Sequence, residues 1–155
     1  AGFDVEAFPV FHDAPETIGF HICGGDKKIT IATDLGHICE TAAPYIKAAN
    51  LLVIESNYDE QMLVNGSYPY YLKARIQSDH GHLSNHQTAT FLASYVTDKM
   101  SHICLAHLSI NNNTPELALQ TLKETFINKG IKLNGHPQIS VLNRNIPSEM
   151  IRLVG

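Results

Sequence analysis

What the sequence lacks narrows its classes first. No apolar run approaches the roughly 18 residues a membrane helix needs, and the opening AGFDVEAFPVF carries no positive segment, so neither a span nor a signal peptide is legible. Cysteine is scarce. Cys23, Cys39 and Cys104 fit no zinc-ribbon spacing, and their odd number cannot form a fully paired disulfide framework. Reduced, buried thiols in a cytoplasmic protein are the expectation. Basic residues are also in deficit, with 11 Lys and Arg against 15 Asp and Glu and a formal charge of -4. Any phosphate-binding surface must therefore be local. No internal repeat, low-complexity tract or linker breaks the 155 residues, 44% of them hydrophobic and 17% charged. That is globular composition, and one domain spanning 1–155 is expected.

The elements that are present alternate. FDVEAFPVF, IGFHICG and KKITIATD read as strands, the last two joined by GGDK, a turn with the glycines a hairpin wants. HICETAAPYIKAAN reads as a helix interrupted by Pro44, LLVIESN as a buried strand, and DEQMLV as a short helix ending at NGSYPYY. Ser84 and Gln87 have capping-box spacing ahead of the apolar face Ala89, Leu92, Tyr95 and Val96. HICLAHLS is a second buried strand, Thr114 and Pro115 open a helix that Gly130 ends, and QISVLNR is the last strand. The fold class is α/β. A mixed sheet is expected, covered on one face by helices over 37–49, 85–97 and 115–129. Because LLVIESN and HICLAHLS are apolar at nearly every position, the other face should be apolar too.

The segment SDHGHLSNH, residues 78–86, holds three histidines in nine residues. Such spacing suggests a metal site, since imidazole is the commonest metal ligand and titrates near neutral pH; an ordinary polar loop is the alternative. Asp34, Glu55, His82 and His107 each fall at a strand's C-terminal end or just before a helix, where open α/β sheets place their ligands. Each has a plainer explanation. Asp34 in TDLG could be a turn or cap residue, Glu55 a solvated strand end, and His107 a core histidine bonded to a neighbour. His12 could face solvent in a loop shaped by Pro15 and Gly19. Lys73 and Arg75, with Tyr68, Tyr70 and Tyr71 nearby, could meet phosphates and bases of a single strand. Snorkelling surface cations would look the same.

Taken in order, HDAPETIGF, TDLG, ESNYD, GHLSN and AHLSINNNTPELA resemble the second half of a metallo-β-lactamase-fold hydrolase, in particular the bacterial YycJ (WalJ) branch, which is similar to ribonuclease Z. The resemblance runs from about Gly2 to Gly130. It implies one half of a four-layer αββα sandwich, with His12 on one of two divalent metal ions, Asp34 bridging both and His107 on the second. It also implies that Glu55 and His82 handle the leaving-group proton. The family's H-x-H-x-D-H loop, which supplies four further metal-binding side chains, is absent from these residues. With a first residue that is not Met and an opening inside a strand, this reads as a fragment. Such a half should associate with itself or with the missing N-terminal half.

For the intact parent the implied chemistry is hydrolysis of a nucleic-acid phosphodiester, DNA or RNA, with zinc or manganese activating a water. His82, oriented by Glu55, would protonate the leaving oxygen. The fragment alone, with His12, Asp34 and His107 as its only expected ligands, should be nearly inactive unless His37, His80 or His86 substitute. One rival is a hydrolase of a small ester, thioester or lactam on the same fold, which has no need of a Glu55/His82 pair. The other is a non-catalytic binding or scaffold module.

Overall fold

The computed structural model describes residues 2–153. Six strands, β1 (Asp4–Pro9), β2 (Ile18–Gly24), β3 (Lys27–Ala32), β4 (Leu51–Glu55), β5 (His102–Ala106) and β6 (Gln138–Val141), lie side by side in chain order. The first three pair antiparallel and the rest parallel. A tight turn can join only antiparallel neighbours. At Gly25–Asp26 it does so, and Gly25 takes the left-handed φ of 61° that the turn needs. Parallel neighbours need crossovers. These carry α1 (Ala43–Ala48) between β3 and β4, then α2 (Glu60–Asn65), α3 (Tyr70–Ile76) and α4 (Asn85–Tyr95) before β5, and α5 (Pro115–Asn128) before β6.

One core forms where α1, α4 and α5 lay Ile46, Leu92, Leu122 and Phe126 on Phe8, Ala32, Leu52, Ile54, Ile103 and Leu105. Each large side chain so buried contributes about 1.5–3 kcal/mol. The α/β class and the mixed sheet with helices on one face are as expected from the sequence. By register, Val5, Ala7, Phe20, Ile22, Ile29, Ile31 and Val53 share the opposite face, which is open toward β1 and β2, where Val5 is 60% and Phe20 39% exposed, and closed at Leu51 and Cys104. Among the described residues no helix is long and apolar enough to cross a membrane.

Caps fix the starts of α4 and α5. Ser84 Oγ accepts from the Gln87 N–H while Gln87 Oε1 accepts from the Ser84 N–H, the reciprocal pair anticipated from their spacing. Thr114 caps α5 through the Leu117 N–H, and Gly130, at φ 73°, follows its end. The expectation of a helix over 37–49 is corrected, because α1 begins only at Ala43. Proline has no N–H and fits only a first turn, so Pro44 starts this helix and cannot sit inside a longer one. α3 has no counterpart among the elements legible from the sequence.

On the helix side of β2, buried His21 donates from Nδ1 to Thr30 Oγ1 at 2.8 Å, and that hydroxyl donates to the Tyr45 carbonyl, also at 2.8 Å. Burial pushes the imidazole below its ordinary value, with Lys28 adding to the effect and Glu6 opposing it. His21 is therefore neutral in the fold. Below about pH 6.5 the unfolded chain takes up a proton that the folded chain refuses. Stability should fall as pH drops through that value and level off only at the lower folded pKa. Urea unfolding at pH 7.5 and at pH 5.5 should show a larger loss for the wild type than for His21→Phe. Equal losses would mean that His21 is not the titrating group.

Candidate metal and catalytic centre

The C-terminal ends of the parallel strands and the loops that follow them gather the polar residues. Glu55 closes β4 and is fully buried, which excludes the solvated strand end that the sequence also allowed. A lone carboxylate there would be severely destabilised, yet its acceptor sites are filled. Oε1 takes the Nδ1–H of His82 at 2.6 Å and that of His107 at 2.7 Å, while Oε2 takes the Leu35 N–H at 2.8 Å. Burial alone would raise this carboxyl group. The bonds from His107, His82 and Leu35 outweigh it and leave the group below its ordinary value. For His107 the sign is the reverse. Its bond to Glu55 holds the imidazole above its usual value against the effect of burial, with Asp34 assisting and Arg144 opposing.

Asp34 sits in the turn after β3 and His107 just past β5, each with a left-handed φ of 57°. Non-glycine residues adopt this conformation at a cost, and it clusters at functional sites. Asn57 holds the second turn by donating from Nδ2 to the His107 carbonyl at 2.8 Å. His12, in the loop after β1, donates from Nδ1 to the Gly81 carbonyl at 2.8 Å. That loop packs closely. A Cβ on Gly81 would run into the carbonyls of Arg75 and Ile76, which explains the glycine between two histidines in HGH.

All three imidazoles are thus tethered through Nδ1, which fixes their tautomers and leaves Nε2 for chemistry. The Nε2 atoms of His12 and His107 each lie 3.6 Å from the same oxygen, Asp34 Oδ1. The His82 ring stands between the other two, at centroid distances of 4.7 Å from His12 and 5.4 Å from His107. Donor atoms of Asp34, Glu55, His82 and His107 all lie within 4.8 Å of one another. Of these four, Glu55 is the least available to an ion because its oxygens already accept internal bonds. His12, which reaches the group through Asp34 Oδ1, lies outside it, as do His37, His80 and His86, and His37 is tied through Nδ1 to the Asp79 carbonyl.

A cleft of about 480 Å³ opens over the centre, lined by His12, His82, His107, Asp13, Arg75 and Arg144 among others. Arg75 is ion-paired with Asp13, whose carboxyl it holds below the usual carboxylate range. Lys73 is differently engaged. Its ammonium donates at 2.7 Å to the carbonyls of both Val64 and Gly66 at the end of α2, and it does not line the cleft. Tyr68 lines the cleft and accepts from Asn111 at 2.8 Å, whereas Tyr70 and Tyr71 are exposed elsewhere. Sequence reasoning missed Asn57, Asn111 and Arg144. The strand-end rule could have found Arg144, which follows β6 at the same rim.

Residues 1–103 match the β-lactamase superfamily domain. Over 147 residues the chain is 37% identical to the exodeoxyribonuclease YycJ of Bacillus anthracis, covering 95% of this chain and 56% of that protein. Over 119 residues it is 38% identical to the exodeoxyribonuclease WalJ of Streptococcus pneumoniae serotype 2, covering 77% of this chain and 44% of the relative. The crystal structure of human tRNase Z, short form, aligns with 70% of this chain and 36% of its own, at 26% identity and a TM-score of 0.45. The chain spans about half the length of the curated relatives it matches. With the family domain covering most of the sheet and the strand-end histidines and carboxylates gathered at one rim, the chain belongs to the β-lactamase superfamily, and its α/β architecture is that of the metallo-β-lactamase fold.

Proposed function

We propose that this chain is the C-terminal half of a metal-dependent nuclease that hydrolyses phosphodiesters in DNA. The observation that carries the reading is the convergence of His12 Nε2 and His107 Nε2 on one oxygen of Asp34, with the Glu55–His82 pair beside it. The fold implies divalent metal ions, and the donors fit them: a carboxylate flanked by two imidazoles held through Nδ1, whose Nε2 atoms face Asp34 and, for His12, also Asp13 at 3.3 Å. Zinc and manganese both suit this set. Two such ions would be held by His12, Asp34 and His107. When bound, such ions supply Lewis acidity toward the phosphoryl oxygens and a water acidified to near neutrality.

The chain's own residues do the rest. Glu55 accepts the Nδ1–H of His82, so a proton on His82 faces the cleft from Nε2, where it can pass to the departing sugar oxygen. Arg75 and Asp13 form the wall beside His12. DNA as the substrate is supported by the activities named for the relatives of Bacillus anthracis and Streptococcus pneumoniae. A cytoplasmic setting is supported by the three unpaired thiols. Pairing with an N-terminal half is supported by the open apolar sheet face, which needs a cover.

Three expectations follow from this reading. In the intact protein, His82→Ala should slow cleavage of an oligodeoxynucleotide on the order of 100- to 10,000-fold while metal content stays near normal. Asp34→Ala should lose metal. If His82→Ala also emptied the site, His82 would be a ligand and not the proton donor. The present chain alone should be nearly inactive even with added zinc or manganese, because three expected ligands shared between two ions leave each short of the three that catalytic zinc normally keeps. Robust cleavage by the isolated chain, abolished by Asp34→Ala, would overturn this. Light scattering after size exclusion should show the isolated chain associating with itself, and Phe20→Lys should shift it toward monomer. A monodisperse wild-type monomer would count against the missing cover.

A further inference from the structure

The cleft contains two guanidinium groups, and the structure does not leave them equally available. Arg75 donates from Nε to Asp13, which also lies 3.3 Å from His12. Its charge is balanced where it stands. Lys73, the other cation of that segment, is held by two carbonyls at the end of α2. Arg144 differs from both. It lies beyond β6, lines the same cleft as His12, His82 and His107, and donates from Nη2 to the Leu108 carbonyl. Leu108 directly follows His107, so this bond ties the guanidinium to the turn that carries a candidate ligand. Among the described residues one donor of a five-donor fork is used, on a neutral acceptor. The side chain is otherwise exposed.

A planar cation fixed at one corner beside a reacting centre suits a phosphate, because a guanidinium matches two phosphate oxygens at once. We propose that Arg144 is the phosphate-binding residue of the cleft, holding a phosphodiester of the bound strand adjacent to the one cleaved, while the Arg75–Asp13 pair shapes the wall. The proposal rests on the nuclease reading above. It explains how a chain with an overall negative charge meets a polyanion, through a cation at the rim that pairs with no carboxylate among the described residues and not through a basic surface. It also separates binding from chemistry, since Arg144 contacts neither Asp34 nor the Glu55–His82 pair by any hydrogen bond or ion pair among the described residues.

The test uses the intact, metal-loaded protein with a single-stranded oligodeoxynucleotide, and compares Arg144→Met, Arg144→Lys and Arg75→Met with wild type. Arg144→Met should raise KM about tenfold, the scale of one lost charge-assisted contact, with kcat within about twofold of wild type. The slope of log(kcat/KM) against log[salt] should become shallower by about 0.7, as expected for one phosphate contact fewer on a single strand. Arg144→Lys should restore the slope but only part of the KM, and Arg75→Met should leave the slope unchanged. Unaltered KM and slope in Arg144→Met would overturn the proposal, as would loss of metal or a kcat defect with normal KM. Fluorescence anisotropy of the same labelled strand, measured without metal, keeps the two readings apart. If wild type binds the strand but never cleaves it, the nuclease reading fails and weaker binding by Arg144→Met still supports this one. If Arg144→Met binds as tightly as wild type, this one fails alone.

Discussion

A buried carboxylate underlies the centre. Glu55 is out of reach of water, and an uncompensated charge there would cost several kcal/mol. It is tolerable only because two imidazole N–H groups and a backbone N–H converge on it from three separate loops. The dependence runs both ways. His82 and His107 take their ring orientations from Glu55, and Leu35 holds the turn that presents Asp34. Removing the carboxylate would release three loops together. Glu55 is therefore both a stability element and the reason that several Nε2 atoms face one cleft.

Strain and close packing surround that anchor. Asp34 and His107 sit in left-handed backbone conformations that the neighbouring structure must hold in place. Asn57 grips the His107 carbonyl, and behind it Asn113 donates to the carbonyls of Ser56 and Asn57 at 2.9 and 3.1 Å while pairing with Asn85. Ser56, Asn85 and Asn113 are all buried, so this network links the ends of β4 and β5 to the first turns of α4 and α5. Buried polar groups satisfied in this way rigidify what they connect. The result is a platform under the cleft that positions side chains from five segments of the chain.

Much of this was legible from local chemistry. The caps at Ser84 and Thr114, the Gly25 turn and the two apolar central strands depend on near neighbours in sequence, and the structure agrees with each. Placing Asp34, Glu55, His82 and His107 at strand ends or just before a helix was enough to bring them to one rim. Less legible was anything decided by partners far along the chain. Glu55 could not be recognised as buried, because its partners lie 20 to 52 residues away. Lys73 and Arg75 looked alike, yet one closes the end of α2 and the other pairs with Asp13, a distinction that only tertiary contacts make. The start of α1 differs for a local reason, since Pro44 looks like an interruption in the sequence and marks a beginning in the fold.

Two features of the fold meet at the same edge. The open face bearing Val5, Phe20 and Ile31 asks for an apolar cover, and the rim above it carries donors that, on the proposed reading, need further ligands. A single missing layer would answer both needs. If it does, covering the sheet and completing the metal centre are linked equilibria: binding of metal stabilises the assembled halves, and assembly raises the affinity for metal by the same factor. The tethered imidazoles fit this coupling. Their tautomers and orientations are already fixed by Glu55 and Gly81, so on the proposed reading assembly would have only to bring further donors to side chains already in place.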